Sequence, residues 1–293
     1  MHRYFVALIA LLTCRGVAAQ NYDTVQVRTT PLGHGVYMLA GAGGNMGLSV
    51  GEDAVFLVDD EFAPLTAKIR AAIAALSSKP VRFVLNTHWH FDHTGGNKDH
   101  GEAGALLVAH DNVRKRMSTD QFIEALNRRE PAAPKGALPV VTFSDAVTFH
   151  INGDRVFAYH VDPAHTDGDA IVVFSEANVV HMGDVFLSAG FPFVDLSSGG
   201  SIHGFIAACE RVLPTLTADT KVIPGHGPLA DRARVQAFHD MLIVMRDRMR
   251  KEIAAKRTIE QVLASTITAD YDKSWPGGRE RFLRILFQEL SKQ

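Results

Sequence analysis

The stretch "NTHWHFDHTGG", residues 86–96, places three histidines, one aspartate and one tryptophan within six positions. His88 and His90 are two residues apart, so in an extended segment their side chains point to the same side, where one metal ion can bind both. Asp92 and His93 follow one tight turn later and face a neighbouring point. Imidazole nitrogen and carboxylate oxygen are ligands that zinc prefers. We therefore predict that this stretch forms half of a two-metal site.

Three further candidate ligands come later in the chain, each in a loop after a predicted strand. His165 lies in "DPAHTDGD", Asp184 in "VVHMGDVF" and His226 in "VIPGHGP". A single histidine or aspartate at such a position is usually a structural or turn residue. Functional side chains also collect in loops of this kind, and here three occur downstream of a dense histidine cluster. The combination predicts metal binding.

The four segments "THWHFDHTGG", "AHTDGD", "MGDVF" and "PGHG" resemble the successive motifs of the metallo-β-lactamase superfamily. The resemblance covers roughly residues 30–230. It implies an α/β fold, the αββα sandwich, in which two mixed sheets pack face to face with helices outside. A strand-rich block followed by helices occurs twice along the chain, and this order agrees with such an architecture.

The resemblance also implies a ligand set and a chemistry. It implies His88, His90 and His165 on a first metal ion, Asp92, His93 and His226 on a second, and Asp184 bridging the two. The expected cofactors are two zinc ions per chain, with iron as an alternative. The expected reaction is attack of a metal-activated hydroxide on a carbonyl, with Asp92 as the catalytic residue that orients it.

Three other residues are candidates for the surroundings of the site. Asp59, in "AVFLVDD", matches a family position near the histidine cluster, although a turn at the strand end also explains it. Asn45 and the loop "GFPFVDLSSGG" (190–200) are expected near the pocket mouth; the alternative is that the phenylalanines pack against C-terminal helices. His203 follows this loop and is a further candidate.

The sequence allows three alternatives for the substrate and the reaction. Hydrolysis of a cyclic amide, with β-lactams as the first expectation, agrees with predicted export. A lactonase or thioesterase with only side activity on β-lactams is the alternative, because a bridging Asp184 adds negative charge where a substrate nitrogen would meet the second metal. A third possibility, of another class, is an iron-binding redox protein or a relay protein that accompanies quinoproteins.

The N-terminus predicts export. Arg3, an apolar run and a small-residue end are typical of a secretory signal peptide, residues 1–19, and the run is too short to span a bilayer. Residues 20–293 are expected to form one catalytic domain with C-terminal helices, located in the periplasm. Removal of Cys14 leaves Cys209, which lies in an apolar-periodic stretch and is expected to be a buried thiol.

Composition and pattern complete the prediction. The net charge is −2 without a long basic run, which argues against nucleic-acid binding and leaves a small-molecule substrate as the expected partner. We predict a helix over residues 111–130, a strand over 178–186, and C-terminal helices over 233–257 and 278–293.

Overall fold

A computed structural model describes residues 21–292, and two β-sheets dominate this range. The predicted signal peptide lies outside the described residues. The first sheet has seven strands and the second has five, and a short separate hairpin follows the fourth helix. Within residues 21–292, no helix combines the length and apolar character needed to cross a bilayer.

The first sheet is mixed. In order across the sheet, its strands are β1 (Arg28–Gly33), β2 (Val36–Ala40), β3 (Met46–Val50), β4 (Val55–Val58), β5 (Val81–Leu85), β6 (Leu106–His110) and β9 (Val141–Phe143). Pairing is antiparallel from β1 to β4 and parallel from β4 to β9. Parallel neighbours need crossover connections, and helices supply them here.

The second sheet is also mixed. In order across the sheet, its strands are β10 (Ala146–Ile151), β11 (Asp154–His160), β12 (Ala170–Phe174), β13 (Val179–His181) and β14 (Lys221–Ile223). Pairing is antiparallel from β10 to β13, whereas β13 and β14 run parallel.

Helices cover the outer faces of both sheets. In chain order they are α1 (Thr66–Ala74), α2 (Phe91–Thr94), α3 (Asn97–Glu102), α4 (Asp111–Met117), α5 (Ile202–Val212), α6 (Arg232–Ala254), α7 (Ile259–Leu263) and α8 (Arg279–Leu290). The longest helix, α6, buries residues three or four apart, which is the spacing of one helix face.

The sheets pack face to face because their strands are apolar on both faces. All four residues of β4 are buried. Leu57 packs with Ile69 of α1 in the outer layer, whereas Phe56 points to the other side and lies 6.5 Å from Phe174 of the second sheet, between ring centroids. Successive side chains of a strand alternate between faces, so one strand contributes to two cores. The αββα sandwich expected from the sequence is confirmed.

The outer face of the second sheet lies under α5, α6 and α8. Phe205 of α5, Phe238 of α6 and Phe282 of α8 belong to one buried cluster with Ile171 of β12. Cys209 of α5 is fully buried in the same cluster, as predicted, and burial raises the pKa of its thiol to about 12. A thiol in this environment stays protonated and unreactive at neutral pH.

Two predicted elements are shorter in the structure. The helix predicted over residues 111–130 ends at Met117, and a hairpin of β7 (Gln121–Ile123) and β8 (Arg128–Glu130) follows, closed by Asn127 in the left-handed region. Asparagine tolerates that conformation better than most residues, which favours a turn there. The strand predicted over 178–186 ends after three residues, because Gly183, at φ 51°, begins a short 3-10 turn.

Candidate metal centre

The seven predicted ligand residues come together in loops that follow β5, β11, β13 and β14. They form three groups in which all ligand atoms lie within 4.8 Å of one another. We call His88, His90 and His165 the first triad and Asp92, His93 and His226 the second triad; Asp184 groups with His88 and His93. The geometry therefore offers two adjacent positions for a cation.

The carboxylate of Asp184 lies between the two triads. Its Oδ1 is 3.2 Å from Nε2 of His93 and 3.4 Å from Nε2 of His226, and its Oδ2 is 3.5 Å from Nε2 of His165. The loop that contains Gly225 packs closely against this carboxylate, since a Cβ on Gly225 would lie 2.0 Å from Oδ1 of Asp184. Glycine at this position lets the backbone approach the carboxylate closely.

Hydrogen bonds orient two imidazoles of the first triad. Nε2 of His90 donates to Oδ2 of Asp195 at 3.0 Å, and Nδ1 of His165 donates to the Phe193 carbonyl at 2.6 Å. The other ring nitrogens, Nδ1 of His90 and Nε2 of His165, then carry lone pairs and face each other at 2.8 Å. Metal-binding histidines commonly have this arrangement, in which the remote nitrogen is held by an acceptor.

Asp59 accepts hydrogen bonds that position histidines of both triads. Its Oδ2 accepts from Nδ1 of His93 at 2.8 Å and from the Thr87 hydroxyl at 2.8 Å, and its Oδ1 accepts from the Thr87 amide at 2.7 Å. Because the Thr87 hydroxyl donates to Asp59, it accepts from Nδ1 of His88, 3.1 Å away. Both His88 and His93 therefore direct Nε2 towards the centre.

Several buried atoms at the centre lack the partner that a cation would supply. Among the described residues, Nε2 of His88 and Oδ1 of Asp184 are buried and have no hydrogen-bond partner. Two lone-pair nitrogens of His90 and His165 also face each other without a proton between them. Buried polar atoms are almost always satisfied in proteins, so this set fits a bound metal. Its imidazole and carboxylate donors suit zinc.

Burial and charge affect the two triads differently. Burial lowers the pKa of His165 to about 4 and lowers the pKa of His88 well below its usual value. Burial also lowers the pKa of His226, but the Asp184 carboxylate outweighs burial and raises that pKa to about 10. Burial raises the pKa of Asp92, yet the nearby charged imidazoles outweigh it and lower the pKa to about 2. Asp92 is therefore ionised at neutral pH.

Asn45 and His203, both predicted near the site, lie in different surroundings. The side-chain amide of Asn45 donates to the carbonyls of Pro224 and Gly227, both at 2.9 Å, and so holds the loop that carries His226. His203 is in the first turn of α5, where its Nε2 is 3.4 Å from the guanidinium of Arg250. The structure does not bring His203 into either triad.

The loop over residues 190–200 contributes more than the sequence indicated. Phe193 stacks on His90 with ring centroids 5.9 Å apart, whereas Phe191 stacks on Phe282 of α8 at 5.3 Å, so both predicted surroundings of these phenylalanines occur. The hydrogen bond from His90 to Asp195 was not predicted. The two residues are 105 positions apart, and "VDLSS" has no pattern that indicates a histidine partner.

Comparisons with known proteins identify the family. A family model described as the metallo-beta-lactamase superfamily matches residues 40–231. The αββα sandwich and the paired triads agree with this match. The chain belongs to the metallo-beta-lactamase superfamily.

Two curated relatives cleave acyl groups, according to their names. An atrochrysone carboxyl ACP thioesterase of Aspergillus fumigatus is 33% identical over 135 residues, which cover 46% of this chain and 27% of that protein. A hydroxyacylglutathione hydrolase of Polaromonas sp. is 28% identical over 175 residues, which cover 58% of this chain and 58% of that protein. The chain thus spans less than two thirds of either relative.

A solved structure shares the fold. The metallo-beta-lactamase from Pontibacter korlensis superposes with a TM-score of 0.61 at 19% identity, over 74% of this chain and 99% of that one. At this level of identity the similarity shows the fold alone.

Proposed function

We propose that this hydrolase uses two zinc ions to cleave thioesters, with the two triads and Asp184 as metal ligands. The position of Asp184 carries the proposal. One of its oxygens faces His93 and His226 and the other faces His165. A carboxylate in this position adds negative charge between the metals, where the nitrogen of a cyclic amide would need electrostatic stabilisation.

The leaving group supports a thioester over an amide. A thiol has an ordinary pKa of about 8.5, so a thiolate leaves without needing a proton from the protein. An amide nitrogen needs one. The pKa of Asp92 is lowered to about 2, and the pKa of Asp184 is also lowered because charged His226 and His93 outweigh the effect of burial. Both carboxylates are therefore acceptors at neutral pH. The names of the two curated relatives agree with acyl transfer from sulfur.

The chain's own residues have distinct roles in the proposed reaction. Zinc, when bound, polarises a substrate carbonyl and lowers the pKa of a coordinated water to about 7. Asp92 accepts a hydrogen bond from the attacking water and so orients it. Asp59 and Asp195 hold His93 and His90 in the tautomers that bind metal. The ring of Phe193, stacked on His90, shields one side of the site from water.

An aromatic surface beside Asp92 suits an acyl chain. The rings of Phe62 and Phe91 stack with centroids 5.9 Å apart, and Tyr22 continues the row at 5.4 Å from Phe62. Aromatic side chains contribute large apolar contact areas with little loss of conformational freedom. We infer that the acyl part of the substrate lies along this row.

β-Lactam hydrolysis, the first expectation from the sequence, is the second candidate. The signal-like N-terminus favours it, since it predicts export to the compartment where β-lactams act. By the resemblance, one group of β-lactamases also has a histidine at the position of His93. Export itself stays a prediction, as does the periplasmic location.

The test compares the two substrate classes on protein that begins at Gln20. Hydrolysis of S-acetyl-3-mercaptopropanamide is followed with a chromogenic thiol reagent, and the buried Cys209 does not interfere. A chromogenic cephalosporin is measured in parallel. We expect a chelator-sensitive kcat/KM of about 10⁴ M⁻¹s⁻¹ or more on the thioester. A cephalosporin rate that exceeds the thioester rate by orders of magnitude would instead establish the β-lactamase.

A further inference from the structure

Glu61 is a buried acidic residue that belongs to neither triad. It lies three residues after the end of β4 and its side chain is fully buried. Its backbone is in the left-handed region, at φ 56°. A glutamate in this conformation is uncommon and persists only where surrounding contacts hold it. The contacts of its carboxylate therefore indicate what the residue does.

The carboxylate of Glu61 holds the segment that connects β2 with β3, residues 41–45, which we call the glycine-rich loop. Its Oε2 accepts from the amide of Ala42 at 3.2 Å and from the amide of Gly43 at 3.0 Å. The fit is close, since a Cβ on Gly41 would lie 2.5 Å from Oε1 of Glu61. Glycine at this position lets the backbone fold around the carboxylate.

The glycine-rich loop contacts all three residues of the second triad or the backbone beside them. The amide of Gly44 donates to the Asp92 carbonyl at 3.0 Å, and a Cβ on Gly44 would lie 2.1 Å from Cε1 of His93. The next amide along the loop donates at 2.7 Å to the carbonyl of Gly225, the residue before His226. The position of this loop therefore relates the three ligand residues to one another.

We propose that Glu61 is a positioning residue, whose carboxylate fixes the glycine-rich loop and thereby the geometry of the second triad. Glu61 itself contacts neither substrate nor metal in this role. A displacement of about 1 Å at a catalytic group can cost about 100-fold in rate, so a residue that acts through a loop can affect both metal binding and catalysis. The inference rests on the proposed two-zinc site, but it concerns how the second zinc is held and not which bond is cleaved.

Glu61→Gly tests the proposal, because glycine adopts φ 56° freely and the variant loses only the side chain. Zinc affinities are measured by competition with a chelator. We expect the affinity for the second zinc to fall about tenfold while the affinity for the first stays unchanged. With zinc in excess, kcat on the thioester should also fall about tenfold, because Asp92 no longer orients the attacking water correctly.

Three further variants make the result specific. Glu61→Gln keeps an acceptor oxygen on a side chain of the same length, so it should retain the second zinc. Lys256→Gly is the control for the backbone, since Lys256 is exposed and has φ 57°, and its zinc affinities should be unchanged. If Glu61→Gly does not fold, Glu61→Asp decides by the same measurement, because its carboxylate is one methylene further from the two amides of the loop.

The outcomes separate this proposal from the proposed function. An unchanged affinity for the second zinc in Glu61→Gly, equal losses of both zinc ions, or an equal loss in Glu61→Gln overturns the role of Glu61. If two zinc ions bind but no thioester is hydrolysed, the proposed substrate is wrong, and the zinc affinities still decide on Glu61.

If the unchanged protein binds only one zinc, the proposed two-zinc site fails, and hydrogen–deuterium exchange of the metal-free proteins decides on Glu61. Faster exchange of the amides of the glycine-rich loop in Glu61→Gly than in the unchanged protein supports the positioning role. Equal exchange in the two proteins overturns it.

Discussion

The two triads use similar side chains in different surroundings. In the first triad, the exposed fractions of His88, His90 and His165 are 1%, 4% and 0%. In the second, the side chains of His226 and Asp92 are 32% and 19% exposed. The first triad is buried throughout, whereas the second, in which His93 is also buried, opens to solvent through His226 and Asp92. A substrate therefore reaches the centre from the side of the second triad.

The two triads also differ in charge. His165 and His88 of the first triad have lowered pKa values because they are buried, so both are neutral at pH 7. His226 of the second triad has a raised pKa because Asp184 outweighs burial. Neutral imidazole is the form that binds metal. The pKa of His93, also in the second triad, is raised because nearby carboxylates outweigh burial. The comparison indicates that the first triad is preorganised for zinc, whereas the second must release protons.

The largest expected effect is loss of a ligand from the first triad. His165→Ala should lower kcat/KM by about 10³-fold or more, because a metal supplies several kcal/mol of transition-state stabilisation. His226→Ala should spare the first zinc and leave more activity. Zinc content by elemental analysis should fall towards one per chain in His226→Ala and lower in His165→Ala. Equal losses in both variants would contradict the proposed difference between the triads.

The next largest expected effect is that of removing the Asp184 carboxylate, which lies between the two triads. Asp184→Ala should lower zinc content and thioester hydrolysis together, by about 10- to 100-fold in rate. Gly225→Ala should act in the same direction, because its new Cβ would lie 2.0 Å from Oδ1 of Asp184. Gly136→Ala is a matched control, since the nearest atoms to its new Cβ are 3.9 Å away, in the side chain of Glu102. Unchanged zinc content and rate in Asp184→Ala would remove Asp184 from the site.

Substitution of the carboxylates that accept hydrogen bonds from His90 and His93 tests the two triads separately. Asp195→Asn removes the charge behind His90, and Asp59→Asn does so behind His93. Each should weaken zinc binding by about 10- to 100-fold, measured by competition with a chelator. Asp195→Asn should affect the first zinc and Asp59→Asn chiefly the second. The hypothesis fails if both variants release the same zinc.

The sequence predicted the local part of the site better than its surroundings. His88, His90, Asp92 and His93 lie within six positions, so backbone geometry alone relates them. Asp195 is brought to His90 by the packing of a loop from the other half of the chain. No local spacing encodes that contact. The roles of all these residues in metal binding stay predictions, although their positions in the structure fit them.

Prediction of the fold from the sequence has the same limit, since local patterns are predictable and long-range contacts are not. The strands of both sheets were predictable because many of them are buried on both faces. Such a strand appears in the sequence as a continuous apolar run, as β4 does. The hairpin over Gln121–Glu130 was not, since its composition also suits a helix. Tertiary contacts decide such cases.

The prediction that depends most directly on the charges is the pH dependence of zinc binding. In the metal-free protein, His226 holds a proton below a pKa of about 10, and zinc must displace it. His93 of the same triad also has a raised pKa, because the Asp184 and Asp59 carboxylates outweigh burial, so zinc must displace two protons. The apparent affinity of the second triad should therefore rise by up to about 100-fold per pH unit between pH 6 and 8. His165, with its pKa lowered to about 4, has no proton to lose in this range, so the first triad should bind zinc with little pH dependence. Chelator competition at pH 6, 7 and 8 measures both affinities, and His226→Ala, which leaves only the His93 proton to displace, should make the steeper dependence shallower. Equal slopes for the two zinc ions would show that the triads do not differ in charge.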